Sequence, residues 1–274
     1  MRWLRRTVVG VLALSAALYA LVALGLWALQ DGMIFPAPDG PAPAASGVLA
    51  LETVETPDGE RLAALWHPPE PGETTLLFLH GNGGAIAHLA ATGERWAAEG
   101  FGFLVPAWRG YPGSTGAPSE GGILIDATAA YDFAAARTDG PIAVYGQSLG
   151  TGAAVHLATE RDVAALVLEA PYDSVLAVAS ARFPFAPVGS LLRHPFRSDE
   201  RIAKVSAPVL IGHGEADGII PIAHGAALHG LAGEGARLLR FPEANHFDIH
   251  DRLLEPAIAF VREAADVSLA DATR

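Results

Sequence analysis

The sequence predicts an α/β fold in which a mostly parallel sheet is covered by helices on both faces. From about residue 48 onward, short apolar segments of strand length alternate with helical patterns. Strands separated by about 10–15 helical residues are typical of βαβ crossovers, which build parallel sheets buried on both sides. A hairpin signal before the alternation adds an antiparallel edge. The length of 274 residues suits one large domain of this class.

The elements follow in a regular order. The hairpin comes first, because strand-like segments over 48–55 and 61–67 flank Pro57-Asp58-Gly59, and an Asp-Gly pair is typical of a tight turn. Further strands are predicted at 74–80, 101–108, 141–146, 164–170, 207–214 and 237–242. Helices are predicted at 86–100, 123–137 and 151–161 and after the last strand. One domain over 48–265, followed by a tail over 266–274, accounts for all of them.

The N-terminus differs from the rest of the chain because residues 7–30 contain no charged side chain and are almost wholly apolar. A helix over these residues would be about 36 Å long, enough to cross a hydrocarbon core of about 30 Å. We therefore expect a membrane anchor over 1–30. A linker rich in Pro and Ala follows over 31–47.

The flanking charges predict the orientation of this anchor. Three arginines lie within residues 2–6, whereas Asp31 and Asp39 follow the apolar segment. The positive-inside rule places the N-terminus in the cytoplasm and the domain on the periplasmic or extracellular side. A cleaved signal peptide is the alternative, with a loose cleavage site at 42–44 and a secreted domain as the result. Its apolar region is normally shorter, about 7–15 residues.

Composition excludes several classes of function. The chain has no cysteine, which removes disulfides, thiolate nucleophiles and thiolate metal sites. A net charge of -12 disfavours nucleic acid as a partner, because the phosphates would be repelled. The sequence contains no H-E-x-x-H motif of a zinc protease. We expect neither a metal nor a cofactor, and the sequence does not indicate an oligomeric state.

The segment Gly146-Gln147-Ser148-Leu149-Gly150 lies between the strand at 141–146 and the helix at 151–161. In this strand–turn–helix context, a G-x-S-x-G motif predicts a nucleophile elbow. The turn is so tight that it needs glycine on both sides of the serine. We expect Ser148 at the carboxyl edge of the sheet, beside the N-terminus of a helix.

A serine hydroxyl becomes a good nucleophile only when a base removes its proton. His246 is the best-placed base, since it lies between the last strand and the terminal helix. His80 and His213 end strands and suit structural packing or loop bonding, and His250 is expected to be exposed. The other histidines of the right type are His224 and His229.

The third group of such a site is a carboxylate that holds the imidazole in the required tautomer. Asp217 lies on the loop after the strand at 207–214, and Glu215 is its near competitor. Asp173 is a weaker candidate. We expect Asp173 and Glu169 to brace the adjacent sheet edge.

Attack on a carbonyl also requires hydrogen-bond donors for the developing oxyanion. The backbone N–H of Leu149 follows the nucleophile directly and is the first expected donor. The second is expected from the loop after the strand at 74–80, where the N–H of Asn82 is preferred and Gly83 is the alternative.

Six sequence blocks together resemble the α/β-hydrolase superfamily, and within it the single-pass membrane-anchored hydrolases of the serine aminopeptidase-like group. The chain order Ser148, Asp217, His246 is also that of the α/β-hydrolase arrangement. The resemblance implies an eight-stranded, mostly parallel sheet and ester or amide hydrolysis through an acyl-enzyme, without cofactor or metal. The blocks are LFLHGNGG (77–84), WRGYPGSTGAPSEGG (108–122), YGQSLG (145–150), LEAPYDS (168–174), HGEADGIIP (213–221) and ANHFD (244–248).

The loop after the strand at 101–108 departs from the pattern of this group at two positions. The group usually carries an acidic residue where this chain has Ala107 and glycine where it has Pro112. Neither position belongs to the predicted catalytic residues, so only the local shape of the loop is affected. Arg109 and Tyr111 are expected to support that loop structurally.

The segment 174–202 interrupts the alternation, being apolar and rich in proline. We expect a short lid over the carboxyl ends of the strands, where open α/β sheets bind ligands, and an ordinary crossover helix is the alternative.

The leading hypothesis is a serine hydrolase that cleaves a carboxylic ester, with a small-molecule or lipid-like acyl substrate. A peptidase or amidase with the same residues is one alternative, and a catalytically silent, membrane-tethered binding protein is another.

Overall fold

The computed structural model describes the backbone of residues 2–272 and the side chains of residues 2–267. The strands are β1 (Ala50–Glu55), β2 (Arg61–His67), β3 (Thr75–Leu79), β4 (Gly102–Pro106), β5 (Ile142–Gln147), β6 (Leu166–Glu169), β7 (Val209–Gly214) and β8 (Arg237–Phe241). The helices are α1 (Arg2–Ile34), α2 (Ala90–Ala98), α3 (Glu120–Ala135), α4 (Gly150–Glu160), α5 (Val175–Arg182), α6 (Val188–Leu191), α7 (Ile222–Leu231) and α8 (Ile249–Ala272). Two short 3-10 helices lie at Ile86–Leu89 and Ile202–Lys204.

All eight strands form one sheet in the order β1-β2-β4-β3-β5-β6-β7-β8. The β1–β2 and β2–β4 pairs are antiparallel, and every other pair is parallel. The predicted α/β class with a mostly parallel sheet and an antiparallel edge is thereby confirmed. The chain goes from β3 to β4 on one side and then to β5 on the other, so the strand order reverses beside β3. Open α/β sheets bind ligands at the carboxyl ends next to such a reversal.

The central strands are apolar along their whole length because helices cover both faces of the sheet. Every residue of β3 is buried, and Leu76, Leu77, Phe78 and Leu79 have no exposed surface. On one face α3 packs against α4, and on the other an ion pair between Arg95 and Glu255 joins α2 to α8. A polar side chain at every second position of these strands would be buried in the core. The central strands are therefore continuous apolar segments in the sequence.

Helix α1 is 33 residues long and therefore about 50 Å in length. It continues to Ile34, past the predicted anchor boundary at residue 30, because its last turns pack against the domain. Gln30 is buried there, and the next residue after the helix, Phe35, is only 3% exposed. At the other end of the chain α8 extends to Ala272, through most of the predicted tail, and residues 273–274 of that tail lie outside the described residues.

The segment between β6 and β7 contains two short helices, α5 and α6, in place of one long crossover helix. Ser174 begins α5, since its side chain accepts a hydrogen bond from the N–H of Ala177 at 3.0 Å. Both helices line a cavity against α1, and α5 also lines the cleft that Ser148 borders.

Candidate active site

The turn between β5 and α4 holds Ser148 in a conformation that few non-glycine residues adopt. Its φ angle is 48°, and its N–H donates to the carbonyl oxygen of Glu169 at 2.9 Å. A Cβ atom at Gly150 would lie 2.0 Å from the carbonyl oxygen of Leu79, so only glycine fits there. The glycines of the motif therefore let the start of α4 pass close to β3. This turn places Ser148 at the carboxyl edge of the sheet.

The structure brings the three predicted residues into one hydrogen-bonded chain. The Nε2 atom of His246 is 3.0 Å from the Oγ of Ser148, and its Nδ1 atom is 2.7 Å from the Oδ2 of Asp217. Both distances lie within the range needed for proton transfer and for orientation of the ring. Ser148 and Asp217 are buried and His246 is only partly exposed, so bulk water weakens these bonds little.

Asp217 is held ionised by its surroundings. Burial alone would raise its pKa, but the neighbouring His213 and the hydrogen bonds from His246 and the N–H of Ile220 outweigh this and lower the pKa well below its ordinary value. Its second oxygen, Oδ1, accepts from the N–H groups of Ile219 and Ile220, each at 2.8 Å. A fixed anion at this place favours the His246 tautomer with its proton on Nδ1 and leaves Nε2 free to accept the serine proton.

The two competing carboxylates have other partners. Glu215 points away toward solvent and forms an ion pair with Arg240 at 2.9 Å. Asp173 accepts from His224 at 2.9 Å. Neither carboxylate is bonded to His246.

The competing histidines are also engaged elsewhere. His80 is buried, and its Nδ1 atom donates to the carbonyl oxygen of Gly81 at 2.7 Å. Burial lowers the pKa of His80 to about 4, so the ring is neutral. His213 donates to the carbonyl oxygen of Ile220 at 2.8 Å and stabilises the loop that carries Asp217. His229 donates to the carbonyl oxygen of Ala236 at 3.1 Å.

The expectation that His250 is exposed was wrong. Its side chain is 17% exposed, and its Nδ1 atom lies 2.8 Å from Oε2 of Glu169, because α8 packs directly over β6. Glu169 also accepts from the Tyr145 hydroxyl at 2.5 Å and from the Gln147 amide at 2.9 Å. Gln147 and Glu169 are opposite each other in the register of β5 and β6. This pairing of two polar side chains is the feature from which the hydrogen-bond network around Glu169 could have been found.

This network reaches the loop of the predicted oxyanion donors, since the N–H of Gly81 donates to Oε1 of Gln147 at 3.4 Å. The backbone N–H groups of Asn82 and Leu149 have no protein acceptor within the described part of the chain. Both residues line the cleft beside Ser148. Their donors are thus available to a ligand, and their role in binding an oxyanion stays a prediction.

Ser148 lines two cavities. The first is an apolar cleft of about 210 Å³. Its walls include Val175 and Val178 of α5 and, unforeseen from the sequence, Met33 and Ile34 of α1. The second, of about 200 Å³, lies beside His246 and has more polar walls. A substrate with an apolar acyl group and a more polar leaving group would match this division.

Arg109 supports the loop after β4, as expected. Its guanidinium is buried and donates to Asp126 at 2.7 Å and to Asp58 at 2.7 Å. The hydrogen bond from Arg109 is the main reason that the pKa of Asp58 falls to about 2. The arginine therefore connects α3 to the turn of the β1–β2 hairpin, and the departures at Ala107 and Pro112 leave this connection intact.

Within residues 2–267, no cluster of three or more His, Asp or Glu side chains is arranged to hold a metal ion.

Comparison with known proteins places this geometry in a family. The family model described as serine aminopeptidase, S33, matches residues 70–193. An uncharacterized protein of Mycobacterium tuberculosis is 37% identical over 244 residues, which cover 85% of this chain and 87% of that protein. The α/β hydrolase domain-containing protein aho-3 of Caenorhabditis elegans is 34% identical over 196 residues, 68% of this chain and 57% of the relative. This chain belongs to the α/β-hydrolase superfamily.

Solved structures agree with the α/β-hydrolase fold. An esterase of Pyrococcus furiosus superposes with a TM-score of 0.66 and 17% identity, covering 82% of this chain and 98% of the esterase. At this level of identity the likeness concerns the fold. The resemblance inferred from the six sequence blocks is confirmed, and the chain is a hydrolase.

Proposed function

We propose that this α/β hydrolase cleaves carboxylic esters through an acyl-enzyme formed on Ser148. The observation that carries the proposal is the hydrogen-bonded chain from Asp217 through His246 to Ser148, with contacts of 2.7 and 3.0 Å, at the edge of an apolar cleft. A nucleophile, a base and an orienting acid in direct contact are the requirements of acyl transfer.

In the proposed reaction the Ser148 oxygen attacks the ester carbonyl carbon while His246 Nε2 takes the serine proton. The N–H groups of Leu149 and Asn82 stabilise the negative charge on the former carbonyl oxygen. Collapse of the intermediate breaks the bond to the alcohol oxygen, which receives the proton from His246. Water, activated by the same histidine, then attacks the acyl-enzyme and releases the carboxylic acid and free Ser148.

The lining of the cleft favours an ester with an apolar acyl group over an aminopeptidase substrate. An aminopeptidase must hold a terminal ammonium group, and a carboxylate is the usual partner for that charge. Among the described residues that line the apolar cleft there is no carboxylate, and the one charged side chain, Arg182, is a cation. Glu169, which lines the more polar cavity, already binds His250, Tyr145 and Gln147.

The proposal includes a membrane tether. Helix α1 has a mean hydropathy of 2.3 in its most apolar part and is long enough to span a membrane. We propose that it does so with the N-terminus in the cytoplasm. The contribution of Met33 and Ile34 to the cleft supports a retained helix, because signal cleavage at 42–44 would remove part of the wall.

Labelling with a fluorophosphonate probe tests the nucleophile. The wild-type protein should react covalently, Ser148→Ala should not, and Ser206→Ala, at an exposed serine, should react like the wild type. A wild-type protein that resists the probe would contradict the proposal and support a silent binding protein.

A substrate panel separates the two enzyme hypotheses. We expect the protein to hydrolyse p-nitrophenyl esters and to leave aminoacyl p-nitroanilides intact. Faster turnover of the anilides would establish the peptidase instead.

A further inference from the structure

The apolar cleft beside Ser148 adjoins a second apolar cavity of about 80 Å³ between α1 and the helices α5 and α6. The two cavities adjoin each other through common wall residues, and we call them together the α1 groove. Their shared walls are Met33, Ile34, Val175, Ala179 and Phe183. Beyond them the groove is lined by Leu26 and Trp27 of α1 and by Val188 and Leu191 of α6.

The wall formed by α1 is fixed to the domain by polar bonds. The Gln30 amide donates to the carbonyl oxygen of Leu191 at 3.0 Å and accepts from the N–H of Arg193 at 2.7 Å. The Arg193 guanidinium also pairs with Asp31 at 2.8 Å. Because Gln30 is buried in these contacts, the last turns of α1 are part of the hydrolase domain.

The end of the groove farthest from Ser148 lies beside the uncharged segment of α1. Leu26 belongs to the uncharged segment 7–30. Further along the same segment, the Tyr19 hydroxyl donates to the carbonyl oxygen of Phe185 in the α5–α6 loop at 3.1 Å. Ile34 lies fifteen positions after Tyr19, which corresponds to about 22 Å along the helix axis. The α5–α6 loop, with the Phe185 side chain 57% exposed, therefore reaches well into the region that a bilayer would surround.

We propose that the α1 groove binds the acyl chain of a membrane lipid ester, which enters sideways from the bilayer between α1 and the α5–α6 loop. The proposal rests on the ester hydrolysis proposed for Ser148. Within the part of the chain whose side chains are described, Arg182 is the one charged side chain along the groove, which suits a hydrocarbon chain. Such a chain would move from lipid to apolar protein without being exposed to water. Helix α1 is then a substrate-binding element as well as an anchor.

Narrowing the groove far from Ser148 tests this role. Leu26→Trp fills the groove between α1 and α6, whereas Leu29→Trp makes the same change at a side chain that is 67% exposed and outside the groove. Full-length protein in phosphatidylcholine vesicles is assayed with p-nitrophenyl acetate and p-nitrophenyl palmitate. We expect Leu26→Trp to lower the palmitate-to-acetate ratio of kcat/KM about tenfold, equal to about 1.4 kcal/mol. Leu29→Trp should keep the wild-type ratio.

A second variant approaches the groove from the opposite wall. Val188→Trp on α6 should lower the same ratio in the same direction, which guards against a misfolded Leu26→Trp protein. An unchanged ratio in both variants, or an equal fall in Leu29→Trp, would overturn the groove as the acyl site. A wild-type protein that hydrolyses neither ester would instead refute the proposed function.

The route of entry has its own test. Adding phosphatidylcholine at constant total p-nitrophenyl palmitate dilutes the substrate within the bilayer. If the chain enters from the bilayer, the rate should fall roughly in proportion to the mole fraction of substrate in the membrane. A rate that follows the total concentration alone would overturn entry from the bilayer while leaving hydrolysis at Ser148 in place.

Discussion

The carboxylate of Asp217 accepts hydrogen bonds from two backbone donors on one oxygen and from His246 on the other. These bonds lower the pKa of Asp217, so the carboxylate is ionised at neutral pH. A neutral amide at this position would keep the shape and remove the charge that stabilises the imidazolium.

We therefore expect Asp217→Asn to lower kcat for p-nitrophenyl esters by about 10⁴-fold, the size of effect known for the equivalent change in a serine protease. Glu215→Ala is the matched control, because Glu215 is exposed and bonded to Arg240, and its kcat should stay within about twofold of the wild type, since exposed ion pairs contribute little. Steady-state kinetics of both variants decide the assignment. Loss of turnover in Glu215→Ala together with an active Asp217→Asn would reverse it.

The buried pair of His250 and Glu169 makes stability depend on pH. Burial alone would lower the pKa of His250, but Glu169 raises it above the ordinary value. Burial would raise the pKa of Glu169, but His250, Tyr145 and Gln147 lower it. The histidine contribution is full below about pH 6.5 and is lost as pH rises through the folded pKa. The glutamate contribution is full above about pH 4.3 and is lost as pH falls through the folded pKa.

The pair should therefore stabilise the protein most between about pH 4.3 and 6.5. His250→Gln leaves a buried carboxylate without its cation, and we expect a loss of roughly 3 kcal/mol at pH 5.5. The loss should be smaller at pH 9, where the wild-type histidine is also more often neutral. Denaturant unfolding of the full-length protein in detergent at both pH values measures the difference. A loss that is equal at the two pH values would show that the ion pair does not contribute.

Among the elements, the turn from β5 into α4 depends on the close approach of backbones. Gly150→Ala would force a Cβ atom against the Leu79 carbonyl oxygen, and we expect destabilisation by about 3 kcal/mol or more. Gly121→Ala, also in the first turn of a helix but with open space around it, should be neutral or stabilising by about 0.5–1 kcal/mol. Melting temperatures of the two variants test this contrast, which would fail if both variants melted alike.

Strand positions were predictable because a parallel sheet buried on both faces needs continuous apolar segments. Ser148, Asp217 and His246 were predictable as candidates because each follows a strand at the same edge of the sheet. The end of α1 was not predictable, since Asp31 and Gly32 would end an isolated helix. Contacts with residues far along the chain extend it, among them the pair between Asp31 and Arg193, which are 162 residues apart. For the same reason the contribution of α1 to the cleft could not be read from the sequence.

At the scale of the whole molecule, the charges around α1 predict its orientation. Three arginines precede the apolar segment, and the carboxylates Asp31 and Asp39 follow it. Alkaline phosphatase fused to the C-terminus in a bacterial host should be active, because it folds only outside the cytoplasm. A green fluorescent protein fusion, which becomes fluorescent inside, should be dark. The reverse pattern would contradict the proposed orientation.

The left-handed backbone of Ser148 carries a further consequence for the molecule as a whole. A non-glycine residue in this region costs of order 1–3 kcal/mol, a substantial fraction of the net stability of an ordinary domain of about 5–15 kcal/mol. Glycine at position 148 would relax the turn, and the same substitution would remove the hydroxyl group. Stability and catalytic activity therefore place opposite demands on residue 148. Any increase in the stability of this hydrolase has to come from other positions in the fold.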